Sequence, residues 1–417
     1  MVVTEFESAI IITAQDSDQP TMNQRMGIVI MLISAFGTAS RFIARTFLEQ
    51  YAVVIQSTAT AISFITSLRN LIQMAFQSSF GRLSDKLGRK TLIVVGTFGQ
   101  ALTLALIPFI RNGWLLVVGV ATFSVFVALS TPAFTALLGD LTSHKSIAGL
   151  LRMVNLVGAI ASLIALLSVG NLSNLGETEL QQYSIILYAA AGLFFITGVI
   201  SLFLINPSTE KLEKVSVLTF RPLRENKEFR RFVVFGSIMG FSMSLGWPIF
   251  PFVRTEFASP EENAWIWASF SVIMIITLIV IRPVINKMNR KWLLFIGRVI
   301  MFYIPLNLAI TTFWVQTWWH MAIGSALSGF GNALYMIGES AYILDQATVK
   351  EKGTYTGLFY LFLGLATFAG SLISGVLADI FIPILGQWQT IGLFLFIIAG
   401  IRFISSFGFL FLRPSTR

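Results

Sequence analysis

Cysteine is absent from this chain of 417 residues, and only two histidines occur. Disulfides, thiolate metal sites and cysteine nucleophiles are therefore excluded. His144 and His320 both fall near expected helix ends, so no histidine-based metal site is expected. Charge is also scarce: Asp, Glu, Lys and Arg make up 12% of the residues, against roughly 25% in a soluble domain. Neither the phosphate-cradling Gly-x-x-x-x-Gly-Lys-Ser/Thr nor Gly-x-Ser-x-Gly nor His-Glu-x-x-His is present, so the chain is not read as an enzyme and no cofactor is expected. The N-terminus carries Glu5, Glu7 and Asp16 where a signal peptide would be basic. Residues 1–25 are read as a disordered cytoplasmic tail.

Apolar sequence is what the chain has in abundance. Hydrophobic residues make up 55% and the mean hydropathy is +0.78. About 20 apolar residues cross a bilayer. The runs predict helices over 26–48, 54–80, 91–110, 114–138, 147–169, 183–206, 230–253, 263–285, 292–312, 317–344, 354–380 and 388–411. The net charge of +9 does not point to nucleic acid, because the basic residues stand at the ends of these runs. With both termini in the cytoplasm, nearly all of them fall on the cytoplasmic side, as the positive-inside rule requires. Arg111 and Arg254 remain outside, and arginines 41, 45, 69, 298 and 402 lie within helices. Most tryptophans mark helix ends, whereas Trp247 sits inside the seventh helix beside Pro248 and Pro251. The polar stretch 207–228 reads as a cytoplasmic linker between six-helix bundles at 26–206 and 229–412.

The halves echo one another. Arg89-Lys90 returns as Arg290-Lys291 at an offset of 201, and Asp140 returns as Asp345 at an offset of 205. Parallel six-helix repeats are a transporter plan.

One stretch carries a signature. Gly81-x-Leu83-x-Asp85-x-x-Gly88-Arg89-Lys90 packs its charges between two apolar runs, which predicts a tight loop on the membrane surface. It resembles the loop 2–3 motif of the major facilitator superfamily. The resemblance implies an all-α polytopic membrane protein with 12 transmembrane helices in two pseudo-symmetric bundles. It implies a secondary transporter that works by alternating access; the short loops and lack of a sorting signal point to the cytoplasmic membrane, and a monomer is expected. Asp85 would contact the cytoplasmic end of helix 11, Arg89 would pair with Asp140, and Gly81 and Gly88 would permit the turn. These five residues form the expected gate. The Gly-Pro pair of helix 5 and the mid-helix 4 arginine, frequent in drug antiporters of that family, are missing.

Polar residues inside a membrane are functional candidates. Ser34, Gly37, Thr38, Arg41 and Arg45 share one face of helix 1, with Arg41 about 22 Å from its cytoplasmic start. Thr66, Arg69, Gln73 and Gln77 form a second stripe. Glu49 is expected at the outer end of helix 1, too far out to neutralise these arginines. Ser325, Ser328, Asn332, Tyr335, Glu339 and Tyr342 repeat at helical spacing in helix 10, where Glu339 is a candidate proton carrier. Arg41, Arg45, Arg69, Gln73, Asn155, Trp247, Asn332, Tyr335 and Glu339 are the expected substrate residues. Arg298 and Arg402 are expected to be structural. Arginine's fork suits carboxylate or phosphate, so a small organic or phosphorylated anion is the expected cargo, with protons as a candidate coupling ion. An exporter of amphiphiles and a non-transporting membrane sensor are the alternatives.

Overall fold

The computed structural model describes residues 24–141, 147–205, 219–281, 288–347 and 351–413. Residues 207–218 of the expected linker and nearly all of the expected tail lie outside them. The main helices among the described residues are, in chain order, α1 Gln24–Val54, α2 Ala59–Leu87, α3 Arg89–Leu106, α4 Gly113–Asp140, α5 Ile147–Ser173, α6 Glu179–Ser201, α7 Lys227–Ser244, α8 Pro260–Val280, α9 Arg290–Val299, α10 Trp318–Gln346, α11 Lys352–Leu385 and α12 Gln387–Ser406. A separate helical piece, Phe250–Phe257, follows α7, and α9 is prolonged by Tyr303–Ile310. No strand occurs among the described residues.

Nine helices among the described residues are long and apolar enough to cross a membrane. The rods that fall short are α2, α7 and α10. The sequence explains α2 and α10, which carry the polar stripes around Arg69 and Glu339. A rod that faces protein or a polar interior need not be apolar all round.

The loop expected over 81–90 is far shorter than the sequence suggests. α2 runs to Leu87, and Gly88 alone separates it from α3. Its φ of 89° lies where L side chains are strained, which is why glycine stands there. Arg89 opens α3 buried, with Nε donating to Asp140 Oδ2 at 3.0 Å, and it also bonds to the Ser84 hydroxyl. In the second half Arg290 meets Asp345 at 3.7 Å. The repeated Arg and Asp letters thus become two ion pairs at corresponding places, the first hydrogen-bonded and the second longer.

Proline explains the two broken rods. The expected helix over 230–253 stops at Ser244 and resumes at Phe250, because Pro248 has no N–H and clashes with the preceding turn. Trp247 therefore sits in a break, not within a helix. α9 tightens to 3-10 geometry at Ile300–Phe302, one turn before Pro305. Both breaks free backbone carbonyls that need a donor. Arg402, fully buried, supplies it: Nε donates to the Ser242 oxygen at 3.4 Å, Nη1 to that of Met301 at 3.3 Å and Nη2 to that of Met243 at 2.5 Å. Met301 is the residue four before Pro305, whose carbonyl the proline leaves unpaired.

The rods pack as two groups, α1–α6 and α7–α12. Near Gly88 their cores are separate. One cluster, which includes Ile30, Ile93 and Leu137, draws only on the first group. Another, which includes Phe232, Tyr342 and Phe359, draws only on the second. At the opposite end, marked by Asp379, the cores interlock. Ala264 and Ala268 of α8 join the core of the first group, and Ala59 of α2 joins that of the second.

Candidate functional site

Three arginines of the first group point into its interior, and the structure divides them between two places. Arg41 lines a cavity of about 170 Å³ with Ser34, Thr38, Thr131, Asn155 and Thr197. Gly37 lies one turn below Arg41, and a Cβ added there would come within 3.6 Å of its guanidinium. Among the described residues no acid or carbonyl bonds to Arg41. Thr38, Thr131 and Asn155 likewise bring groups that make no hydrogen bond to the described residues. The cavity thus holds an unneutralised cation among free hydroxyl and amide groups.

One turn further along α1, Arg45 joins a second cluster. Arg69 donates Nη2 to Glu49 Oε1 at 3.0 Å, and Arg45 lies within electrostatic reach of both. Arg45 itself is exposed. Contrary to its expected place at the outer end of helix 1, Glu49 is not too far out to neutralise an arginine. α1 continues to Val54, and Glu49 lies inside a helix of 31 residues facing Arg69.

Arg254, expected on the outer side, lies in a helix. It lies 9% exposed in the Phe250–Phe257 piece, with its guanidinium 4.7 Å from the centre of the Trp267 ring and within electrostatic reach of Glu49. Arg69 Nη1 and Arg254 Nε are buried without a hydrogen-bond partner. Three arginines therefore share one carboxylate. The sequence signal for Arg254 is the pair Pro248 and Pro251 just before it, where the helix breaks.

In the second group Glu339 is 6% exposed, and its Oε1 has no hydrogen-bond partner. Arg298 lies beside it and stacks 3.3 Å from the centre of the Tyr335 ring, and Tyr360 lies close by. Sequence reasoning set Arg298 apart as a structural residue on an outer helix; the structure brings it to Glu339. Asn332 turns aside instead, its amide against the sulfurs of Met274 and Met336. Gln73 is half-buried on α2. The side chains of Gly81, Asp85 and Gln77 lie outside the described ones, so the expected contact of Asp85 with α11 does too.

Two bundles of apolar helices around buried charges define a polytopic membrane transporter. A family model, Major Facilitator Superfamily, matches residues 30–246 and 232–417, and the chain belongs to that family. An uncharacterized MFS-type transporter of Methanocaldococcus jannaschii is 26% identical over 344 residues, covering 76% of this chain and 79% of the relative. Multidrug resistance protein MdtG of Proteus mirabilis is 24% identical over 306 residues, covering 70% and 72%. In fold the chain is similar to the nucleoside transporter NupG, with TM-score 0.76, 15% identity and coverage of 92% and 98%. It is also similar to a bacterial homologue of the lysosomal transporter Spinster in an inward-facing, unoccupied conformation, with TM-score 0.68, 14% identity and coverage of 94% and 98%.

Proposed function

We propose that this transporter carries a small organic or phosphorylated anion across the cytoplasmic membrane by alternating access. The observation that carries the reading is the charge balance of the interior. Among the described residues Glu49 is the acid within reach of Arg45, Arg69 and Arg254, and Arg41 in its cavity bonds to no acid. Unpaired buried charge is costly, and a bound anion removes that cost. The basic residues at the Gly88 end support a cytoplasmic placing of that end. With this sidedness, bundles that interlock at the Asp379 end and separate at the Gly88 end make the conformation inward-facing.

The test is a thermal-shift panel on purified protein followed by uptake into proteoliposomes. Inorganic phosphate, a sugar phosphate and small mono- and dicarboxylates are compared with neutral sugars and hydrophobic cations. At least one anion is expected to raise the melting temperature and to accumulate. Stabilisation by the cations alone overturns the reading in favour of drug export, the second reading, which the likeness to MdtG supports.

Glu339 is the proposed carrier of a coupling proton, because its unbonded oxygen is buried beside Arg298. E339Q is expected to abolish uptake driven by a pH gradient while leaving anion exchange intact. Equal loss of both activities assigns Glu339 to structure instead.

A further inference from the structure

The interlocked end of the molecule is built twice. On α11, Asp379 reaches across to the other bundle and caps α2. Ala59 N–H donates to its Oδ1 at 2.8 Å and Thr60 N–H to its Oδ2 at 2.9 Å. One turn back, Gly375 lets the rods touch: an added Cβ would lie 2.7 Å from the Ala59 oxygen and 2.8 Å from Ser63 Cβ. Ser371 extends the seam, its hydroxyl donating to the Ser63 oxygen at 3.3 Å.

The same device recurs 205 residues earlier, between α5 and α8. Gly170 corresponds to Gly375, Asn174 to Asp379 and Ala264 to Ala59. A Cβ on Gly170 would meet Ala264 Cβ at 2.7 Å. Asn174 reaches the first turn of α8, where its Nδ2 donates to Glu261 Oε2 at 2.7 Å. Each seam is thus a glycine, three spacer residues and a polar tip, pressed on the N-terminal turn of a helix from the opposite bundle. Only the chemistry of the tip differs. Asp379 is a carboxylate accepting two backbone N–H groups at the positive end of α2. Asn174 is neutral and meets a side chain.

Closing these seams strands polar groups. Asn263, fully buried next to Ala264, has neither amide atom bonded, and Ser374 Oγ next to Gly375 is also unpartnered. Such groups regain water when the seams part, so closure is opposed by their desolvation and must be offset by something formed only in the closed state. Asp379 makes two charge-assisted hydrogen bonds of that kind.

We propose that Asp379 is the charged latch of a duplicated outer seal, with Gly375 and Gly170 as its contact points and Asn174 as its neutral counterpart. The latch sets the population of the closed-outside state. Its assignment to the outer face rests on the sidedness proposed above, whereas the latch itself needs no substrate.

The absence of cysteine makes the test direct. Ser63→Cys reports on the α2–α11 seam and Ala268→Cys on the α5–α8 seam, each as the sole cysteine, treated with a membrane-impermeant maleimide on right-side-out vesicles. D379N is nearly isosteric and keeps the packing. It is expected to raise the labelling rate of Ser63→Cys about tenfold, the ratio that loss of one charge-assisted bond implies. G375L wedges the same seam and raises labelling comparably, and N174A raises Ala268→Cys labelling about twofold. Melting curves of each variant separate opening from unfolding. Labelling of Ser63→Cys within twofold of the parent in D379N overturns the latch, whether or not G375L opens the seam. A rise seen only with reagent sealed inside the vesicles supports the latch and reverses the sidedness, which refutes that part of the functional reading alone.

Discussion

Replacing Arg41 with Gln is expected to lower anion uptake about 100-fold or more. Arg41 stands in its cavity without a partner among the described residues, beside the free groups of Thr38, Thr131 and Asn155. A fork donating two hydrogen bonds to a carboxylate or phosphate contributes about 1.5–3 kcal/mol for each bond. Losing both amounts to a factor of about 100 or more in affinity. Gln keeps a donor and most of the length but removes the charge, while Lys keeps the charge and loses the fork. R41K is therefore expected to fall between wild type and R41Q. Because Arg41 is unpaired in the empty protein, R41Q strands no buried partner, so the empty variant should melt no lower than wild type. Unchanged uptake by R41Q removes Arg41 from the site. A large drop in melting temperature shows instead that the guanidinium supports the bundle.

The sequence made the architecture readable because membranes impose a coarse rule. Long apolar runs and basic flanks are visible without packing. The Arg89–Asp140 pair was implied by the family resemblance, and Arg290 and Asp345 were legible as echoes of its members at offsets of 201 and 205. What escaped was set by local backbone chemistry or by contact between distant rods. Gly88 alone turns the chain, and nothing in the composition of 81–90 distinguishes a one-residue turn from a loop of ten. The expected helices run unbroken past Pro248 and Pro305, and Arg402 serving the freed carbonyls of both breaks is a property of three rods at once. Gly170/Asn174 and Gly375/Asp379 lie at one offset in plain view. With Asn at one tip and Asp at the other, they share only a glycine until the seams are seen. Glu49 was misplaced because a depth estimate assumed that α1 ended near 48. Its 31 residues span about 46 Å, so the helix passes well beyond a typical hydrocarbon core, and position along the rod no longer gives depth.

That same misplaced carboxylate yields the second large effect. E49Q is expected to destabilise the empty protein by about 3 kcal/mol, the lower part of the range for removing one partner of a buried pair, because Glu49 itself is partly exposed. The side-chain exposures of Arg69 and Glu49 are 6% and 16%, so water screens the pair little. The exposed pair Arg221–Glu225, at 68% and 62%, sets the contrast: E225Q is expected to change stability by less than about 1 kcal/mol. E49Q leaves Arg69 charged in the interior with Arg45 and Arg254 nearby, three cations without an acid. The double variant R69Q/E49Q removes both members and should regain most of the lost stability. A transported anion should also rescue E49Q more than wild type, since it supplies the negative charge lost with Glu49. Thermal melting of the two single variants and the double, with and without inorganic phosphate, checks all of this. Equal melting temperatures for E49Q and the double variant refute the buried-charge account. An anion that stabilises wild type yet fails to rescue E49Q separates Arg69 from the binding site.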